Sequence, residues 1–331
     1  MNLSGATYCN PVWPGYMADP FVLLHQGVYY AYGTSAISGG LKNGREFQLL
    51  RSTDLAHWED GGGALEPLAV QEGQGNGEYW APEVAFRDGV FYMYYSTSTG
   101  QDTQRLRLAT SDKPEGPFID SGRLLLPEEG FSIDPHPFCD PKDRQWYLFF
   151  ARDFLDERVG TGTAVVPLGP DMMPSGPVTP VLRASQDWQL FARDRTMYGQ
   201  KFDSWHTVEG AFVIVRDGLY YCLYSGGAWT SAGYGVGYGV ASHPLGPWRD
   251  EWAHEGASVL QGIPGYVLGP GHNSVVMGPD GQTPFVVYHA WDLEQTARRM
   301  CIDPLAWTDD NRPRCLGPTT EPQSLFSNRS K

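Results

Sequence analysis

Hydrophobic and polar positions along the chain fall into short runs, and no apolar spacing of three to four residues persists over a helix-length window. Five runs rich in aromatic and β-branched residues stand out, at 28–35, 90–96, 145–151, 219–225 and 284–290. A second strand-like run follows each, at 47–52, 106–111, 162–166, 235–242 and 299–303. Such compositions suit a pleated, half-buried surface. A turn signal precedes each aromatic run: Gln26-Gly27, Asp88-Gly89, residues 140–144, Asp217-Gly218 and Pro279-Asp280-Gly281. These residues supply the positive φ that tight hairpins need. Before each turn lies a short apolar segment, at 21–24, 84–86, 137–139, 211–215 and 274–277. The unit is a β-meander, and it recurs five times at intervals of about 66 residues. Pro114-Glu115-Gly116-Pro117-Phe118 and Pro244-Leu245-Gly246-Pro247-Trp248 close two units alike, and the segment around Trp58 takes that place in the first.

Sequential meanders along one chain predict an all-β fold, a single five-bladed β-propeller with its site at the mouth of the central channel. The predicted blades run over about 15–65, 78–120, 130–180, 205–250 and 268–310 in one domain spanning 1–331, without an accessory domain. Two packed sandwiches would fit the length but not the fivefold recurrence. The length of 331 residues, at roughly 150 per domain, suggests about two domains, and the repeat overrides that prior. The 40 glycines and 26 prolines become turns, and most of the 11 Trp and 18 Tyr become packing between blades, leaving two or three for a ligand pocket. The run Gly233 to Gly239 has the composition of a dinucleotide loop without its strand-to-helix context, and reads as a glycine-rich strand.

Charge narrows the partners. With 38 acidic and 24 basic residues the formal charge is −14, which argues against nucleic acid and anionic membranes. No apolar stretch approaches a membrane span. The first ten residues show neither a basic nor an apolar leader region, so a cytoplasmic location is expected, or a secreted one if a leader has been trimmed. Cys9, Cys139, Cys222, Cys301 and Cys315 are widely spaced, and read as buried small hydrophobes in a reducing compartment. They form no transition-metal pattern with the histidines.

Candidate chemistry lies at the strand starts. In a propeller the first strand of each blade lines the channel, and reading one register five times gives Asp19, Glu83, Asp134, Glu209 and His272. Acidic groups amid apolar strand starts are costly unless paired or used. Pro20 and Pro135 are expected to hold Asp19 and Asp134 in extended backbone. Four acids and a histidine at one mouth form a catalytic or metal-site pattern.

These segments resemble glycoside hydrolase family 43, whose members are five-bladed propellers that cleave pentose linkages with inversion. The resemblance runs from Asn10-Pro11 to about Trp307 and rests on five pieces. They are Ala18-Asp19-Pro20-Phe21-Val22, Tyr79-Trp80-Ala81-Pro82-Glu83-Val84, Ile133-Asp134-Pro135-His136-Pro137-Phe138, Thr207-Val208-Glu209-Gly210 and Gly271-His272-Asn273-Ser274. It implies that Asp19 is the general base and Glu209 the general acid, with Asp134 orienting Glu209 and raising its pKa. His272 matches a residue over the channel where members hold calcium through water, so a structural calcium is an expectation, though no cofactor is required. Trp80 matches an aromatic of the sugar pocket, and Arg298 a substrate-contacting arginine, with Arg299 as the adjacent alternative. Glu83 matches a position without a catalytic role.

The chemistry suits these residue types. Inversion needs an acid for the leaving oxygen and a base for a water on the opposite face, roughly 6.5–9.5 Å apart. Like-charge repulsion from Asp134 would keep Glu209 protonated, while Asp19 must be ionised and is expected to be the more solvated of the two. Trp205 and Trp13 join Trp80 as candidate pocket walls. His136, His206 and His289 read as structural histidines behind the pocket. The function implied is an inverting exo-glycosidase releasing terminal pentoses, foremost α-L-arabinofuranose from arabinan or arabinoxylan oligosaccharides. β-Xylosidase, endo-arabinanase and a retaining fructan-cleaving relative are alternatives, and a non-catalytic sugar-binding propeller is the alternative of another class. The short polar tail from Pro313 favours the arabinofuranosidase, since some xylosidases of the family carry a second domain there.

Overall fold

The computed structural model describes residues 6–35, 42–69, 77–98, 103–251 and 256–325. The first residues of the amino-terminal segment and the last of the polar tail, read above from sequence, lie outside them. At Gln26-Gly27, Asp88-Gly89 and Asp217-Gly218 both turn residues have positive φ (50° and 79°, 51° and 85°, 50° and 78°). That is the two-residue hairpin whose twist matches its strands. These turns join Ala18–His25 to Val28–Thr34, Glu78–Arg87 to Val90–Ser98, and Gln200–Arg216 to Leu219–Gly226. Longer turns join Ser132–Cys139 to Trp146–Phe154 and Leu268–Met277 to Pro284–Trp291.

Each aromatic second strand pairs antiparallel with a third: Glu46–Ser52, Arg105–Ser111, Gly160–Pro167, Gly235–Ala241 and Arg298–Trp307. All ten strand runs read from the sequence are strands. Each unit also carries a fourth strand that the sequence does not flag: Glu59–Leu65, Ile119–Leu124, Thr179–Pro180, Arg249–Glu251 and Pro313–Cys315. These are short or polar, and Glu59–Leu65 contains three glycines, so no alternation marks them. Among the described residues the chain is all-β, its one helical turn being the 3₁₀ segment Asp187–Gln189.

The third and fourth units join through a short parallel pairing of Gly160 with His206 and Thr161 with Thr207. A Cβ at Gly160 would lie 1.9 Å from the His206 carbonyl oxygen, so only glycine permits that approach. A further strand, Leu190–Met197, pairs antiparallel with the start of Gln200–Arg216. The charges Arg193, Asp194 and Arg195 hide it from a pattern reading.

Packing runs between successive units. Tyr32 and Phe47 of the first pack with Tyr79 and Tyr95 of the second, and Tyr94 of the second clusters with Phe150 and Ala164 of the third. Phe149 and Val165 of the third cluster with Val213 and Cys222 of the fourth, whose Tyr221 and Tyr238 cluster with Val286 and Tyr288 of the fifth. Val287 and Ile302 of the fifth then cluster with Val22 and Leu50 of the first. The lead strands repeat this cycle, each packing against the next and Leu268–Met277 against Ala18–His25.

The tail is not a loose appendage. Pro313–Cys315 extends the last unit beyond its expected end near residue 310, and Gln323–Ser324 pairs with Thr7–Tyr8. Tyr8, Asn10, Tyr288 and Thr319 all donate to the buried Asp303 carboxylate, which ties both segments to the fifth sheet. All five thiols are free; Cys222, Cys301 and Cys315 are buried as expected, whereas Cys139 is half-buried and Cys9 exposed.

Candidate active site

Each lead strand slips register near its start: between Ala18 and Phe21, Trp80 and Glu83, Ile133 and His136, Glu209 and Phe212, and Gly271 and Ser274, the fifth also between Leu268 and Gly271. Such bulges bend a strand and re-aim its side chains. The first bulged residue is left-handed in all five: Asp19 (φ 52°), Ala81 (43°), Asp134 (56°), Gly210 (58°) and His272 (49°). This corrects the extended backbone expected for Asp19 and Asp134. The bulge overrides the preference set by the following proline, and Asp is among the residues that tolerate the left-handed region.

The bulges also correct the common register. Asp19, Asp134 and His272 are equivalent, but Glu209 stands one place earlier, with Trp80 and Ile133. Glu83 stands two places beyond Ala81, with His136 and Phe212. Both groups of the upper level line one pocket, with Tyr16, Thr34, Ser35, Trp229 and Arg298. The space between these walls, open solvent at the mouth included, is about 610 Å³.

Asp19 is enclosed by one guanidinium, one hydroxyl and two imidazoles. Arg298 Nη1 donates to Asp19 Oδ1 at 2.9 Å and Thr34 Oγ1 to Oδ2 at 2.5 Å. His272 Nδ1 lies 3.4 Å from Oδ1, and His289 Nδ1 accepts the Asp19 backbone N–H at 3.1 Å. Burial alone would raise this carboxyl's pKa, but the Arg298 guanidinium outweighs it and holds the pKa well below the usual carboxylate range, while burial pushes His272 and His289 themselves toward the neutral form, His289 to about 4. The expectation that Asp19 is the more solvated carboxyl is therefore corrected. Asp19 is 9% exposed and Glu209 less buried, so neighbouring charge rather than water keeps Asp19 ionised. Arg298 itself stacks on Trp229, with the guanidinium carbon 4.5 Å from the ring centroid.

Glu209 and Asp134 face the opposite situation. Burial is the main force pushing Glu209 up, to about 7, helped by the Asp19 charge and opposed by the hydrogen bond from Tyr234 and by Arg298 and Arg195. Tyr234 donates to Glu209 Oε1 at 2.8 Å, and Gly271 leaves room for that ring, since a Cβ there would lie 2.3 Å from it. Asp134 accepts the Gly210 N–H at 3.1 Å. Burial and then the Glu209 and Asp19 charges push its pKa well up. The two acids titrate as a pair that keeps a proton.

Trp80 and Arg298 line the pocket, whereas Arg299 pairs with Asp292 at 2.9 Å, which resolves that ambiguity in favour of Arg298. Trp205 is only 1% exposed, beneath Arg195, and is not a pocket wall. Trp13 lines an adjoining hollow that shares Tyr16, Thr34 and Ser35. Of the three structural histidines, only His289 meets the site, through Asp19. Sequence reading missed Tyr16, Thr34, Trp229 and Tyr234. Tyr234 opens the glycine-rich strand, and that adjacency is the one local signal among them.

Calcium takes six to eight oxygen ligands. Among the described residues no group of three His, Cys, Asp or Glu could hold a metal ion, and Asp19, the carboxylate beside His272, is committed to Arg298 and Thr34. A calcium ion over the channel would therefore be held by His272 and waters rather than by a cage of carboxylates.

The profile described as Glycosyl hydrolases family 43 matches residues 8–313. A β-D-galactofuranosidase of Aspergillus niger is 30% identical over 310 residues, covering 89% of this chain and 80% of its own. An extracellular exo-α-(1→5)-L-arabinofuranosidase of Streptomyces avermitilis is 25% identical over 327 residues, covering 93% and 63%. A solved thermostable family-43 glycoside hydrolase superposes with a TM-score of 0.83 at 34% identity, covering 97% of this chain and all of that one.

Proposed function

The chain belongs to glycosyl hydrolase family 43, a family of carbohydrate-cleaving enzymes, and within it we propose an inverting, exo-acting glycosidase that releases terminal α-L-arabinofuranose. Asp19 is the general base and Glu209 the general acid. Asp134 orients Glu209 and keeps a proton on the pair. The observation that carries this reading is that two carboxyls lining one pocket meet opposite surroundings: Asp19 is paired with the Arg298 guanidinium, and Glu209 is enclosed near Asp134 with a tyrosine hydroxyl as its hydrogen-bond partner. A base must be ionised and an acid protonated at the working pH, and both must reach one glycosidic bond. The cyclic core clusters support reading the five units as blades of one propeller domain, with this pocket at its channel mouth.

The reaction follows from these roles. Asp19 takes a proton from a water, whose oxygen attacks the anomeric carbon. Glu209 gives its proton to the departing oxygen on the other face. Trp80 offers an apolar wall to the C–H face of the sugar, and Arg298 orients both Asp19 and the sugar hydroxyls. The furanoside assignment draws on the two relatives named above, since α-L-arabinofuranose and β-D-galactofuranose share ring configuration and differ at the exocyclic carbon. β-D-Galactofuranose is accordingly the second reading, and β-xyloside the third.

A panel of nitrophenyl α-L-arabinofuranoside, β-D-galactofuranoside and β-D-xyloside, with proton NMR of the first-formed anomer, tests the proposal. Fastest turnover of the arabinofuranoside with inverted product is expected. Retained configuration would refute the assigned mechanism, and binding of oligosaccharides without hydrolysis would refute catalysis altogether.

A further inference from the structure

One layer below the pocket lies a buried carboxylate that the proposed reaction does not use. Glu83, His136 and Phe212 occupy equivalent places two residues past the bulged position on three successive lead strands. The His136 ring packs against Phe212 in a tilted pair, with centroids 4.3 Å apart. His136 Nδ1 lies 2.6 Å from Glu83 Oε2, and the Val213 backbone N–H donates to His136 Nε2 at 3.1 Å. His136 thus bridges the strand that carries Trp80, its own strand with Asp134, and the strand with Glu209.

The two bonds fix the chemistry. A ring nitrogen that accepts from a backbone N–H carries no proton, so His136 Nε2 is bare and the single ring proton sits on Nδ1. Nδ1–H then donates, and Glu83 Oε2 accepts. A protonated imidazolium would set two N–H groups head to head at Val213. The negative charge of the pair is then Glu83's, whose side chain is 13% exposed; burial pushes its pKa up and the bond from His136 opposes that.

We propose that Glu83 is a positioning residue: with His136 locked as a neutral bridge, its fixed charge beneath the pocket keeps the shared proton on the Asp134–Glu209 pair and fixes the spacing of their strands. This rests on the reading of Glu209 as general acid. Burial and the Glu209 and Asp19 charges are the larger forces on Asp134, and Glu83 adds to them with the same sign. The other ionisable groups facing the pair are Tyr234, Arg298, Arg195 and His272. Arg298 and Arg195 favour loss of the Glu209 proton, and the Glu83 charge acts on Asp134 in the opposite sense.

The test compares pH profiles of kcat/KM for the wild type, Glu83→Gln and Glu83→Asp, with Glu209→Gln as the control for the acid itself. Removing the charge should move the alkaline limb of Glu83→Gln to lower pH. Glu83→Asp keeps the charge and should keep the limb, even where thermal stability falls. An unmoved limb in Glu83→Gln, or an equal shift in both variants, overturns the proposal. An undiminished Glu209→Gln would instead overturn the acid assignment, so the two failures are distinct. Should Glu83→Gln not fold, ¹⁵N NMR of His136 in the wild-type protein decides: an Nδ1–H tautomer from pH 6 to 8 is expected, and an imidazolium there overturns the proposal.

Discussion

The Asp19 side of the pocket and the Glu209–Asp134 side begin from the same physical position and end apart. Burial penalises the charged form of every one of these carboxyls. On the Asp19 side that penalty meets the Arg298 guanidinium and is overturned. On the other side it meets a second carboxyl and is reinforced. Enclosure sets the size of the effect, and the sign comes from which charges share the enclosure. A single arginine placed at Asp19 rather than at Glu209 separates base from acid.

The largest effect should come from removing the acid. Glu209→Gln is expected to lower kcat by roughly 10³-fold, the middle of the general-acid range. It should also stabilise the protein at high pH. A carboxyl raised to about 7 in the folded state ionises more easily when unfolded, so its burial costs stability as pH rises from about 4.5 to 7. The melting temperature of Glu209→Gln should exceed that of the wild type at pH 8, and the two should converge below about pH 4.5. Equal melting temperatures at pH 8 would show that the carboxyl is not raised.

Arg298→Ala comes next, with a loss of about 10² in kcat/KM. Removing the guanidinium lets burial raise the Asp19 pKa, so the acid limb of the profile should move to higher pH. Arg298→Lys keeps the charge but not the fork or the stack on Trp229, and should fall between the two. An acid limb that stays in place in Arg298→Ala would separate Arg298 from the ionisation of Asp19.

Much of the contrast was legible before any coordinates. Hairpin turns and aromatic strands were marked by local chemistry, Gly after Asp or Gln in four units, the polar run 140–144 in the third, and aromatic-rich runs after each. Asp19, Asp134 and Glu209 were visible because similar motifs recur. Their exact levels were not, since a bulge adds one residue without any change in composition, and it shifted Glu209 up and Glu83 down. Nor were the partners that decide the sign. Tyr234 reaches Glu209 across 25 residues and Arg298 reaches Asp19 across 279. Neither contact leaves a local signature.

Smaller effects refine the picture. Trp80→Ala should raise KM about tenfold with kcat within a few-fold, the loss of roughly 1.4 kcal/mol of apolar contact. A fall in kcat as large as that of Glu209→Gln would mean that Trp80 positions the acid instead. Tyr234→Phe should have the least effect on rate. It removes a bond that favours ionised Glu209, so the alkaline limb should rise by a few tenths of a pH unit. A limb that falls would reverse the role given to Tyr234.

The most direct measurement is the ionisation of the carboxyls themselves. Side-chain carboxyl ¹³C shifts at pH 5.5, assigned with Asp19→Asn, Asp134→Asn and Glu209→Gln, report each state separately. Asp19 should be ionised, with a proton retained on the Asp134–Glu209 pair. A protonated Asp19, or a fully ionised pair, would contradict the account.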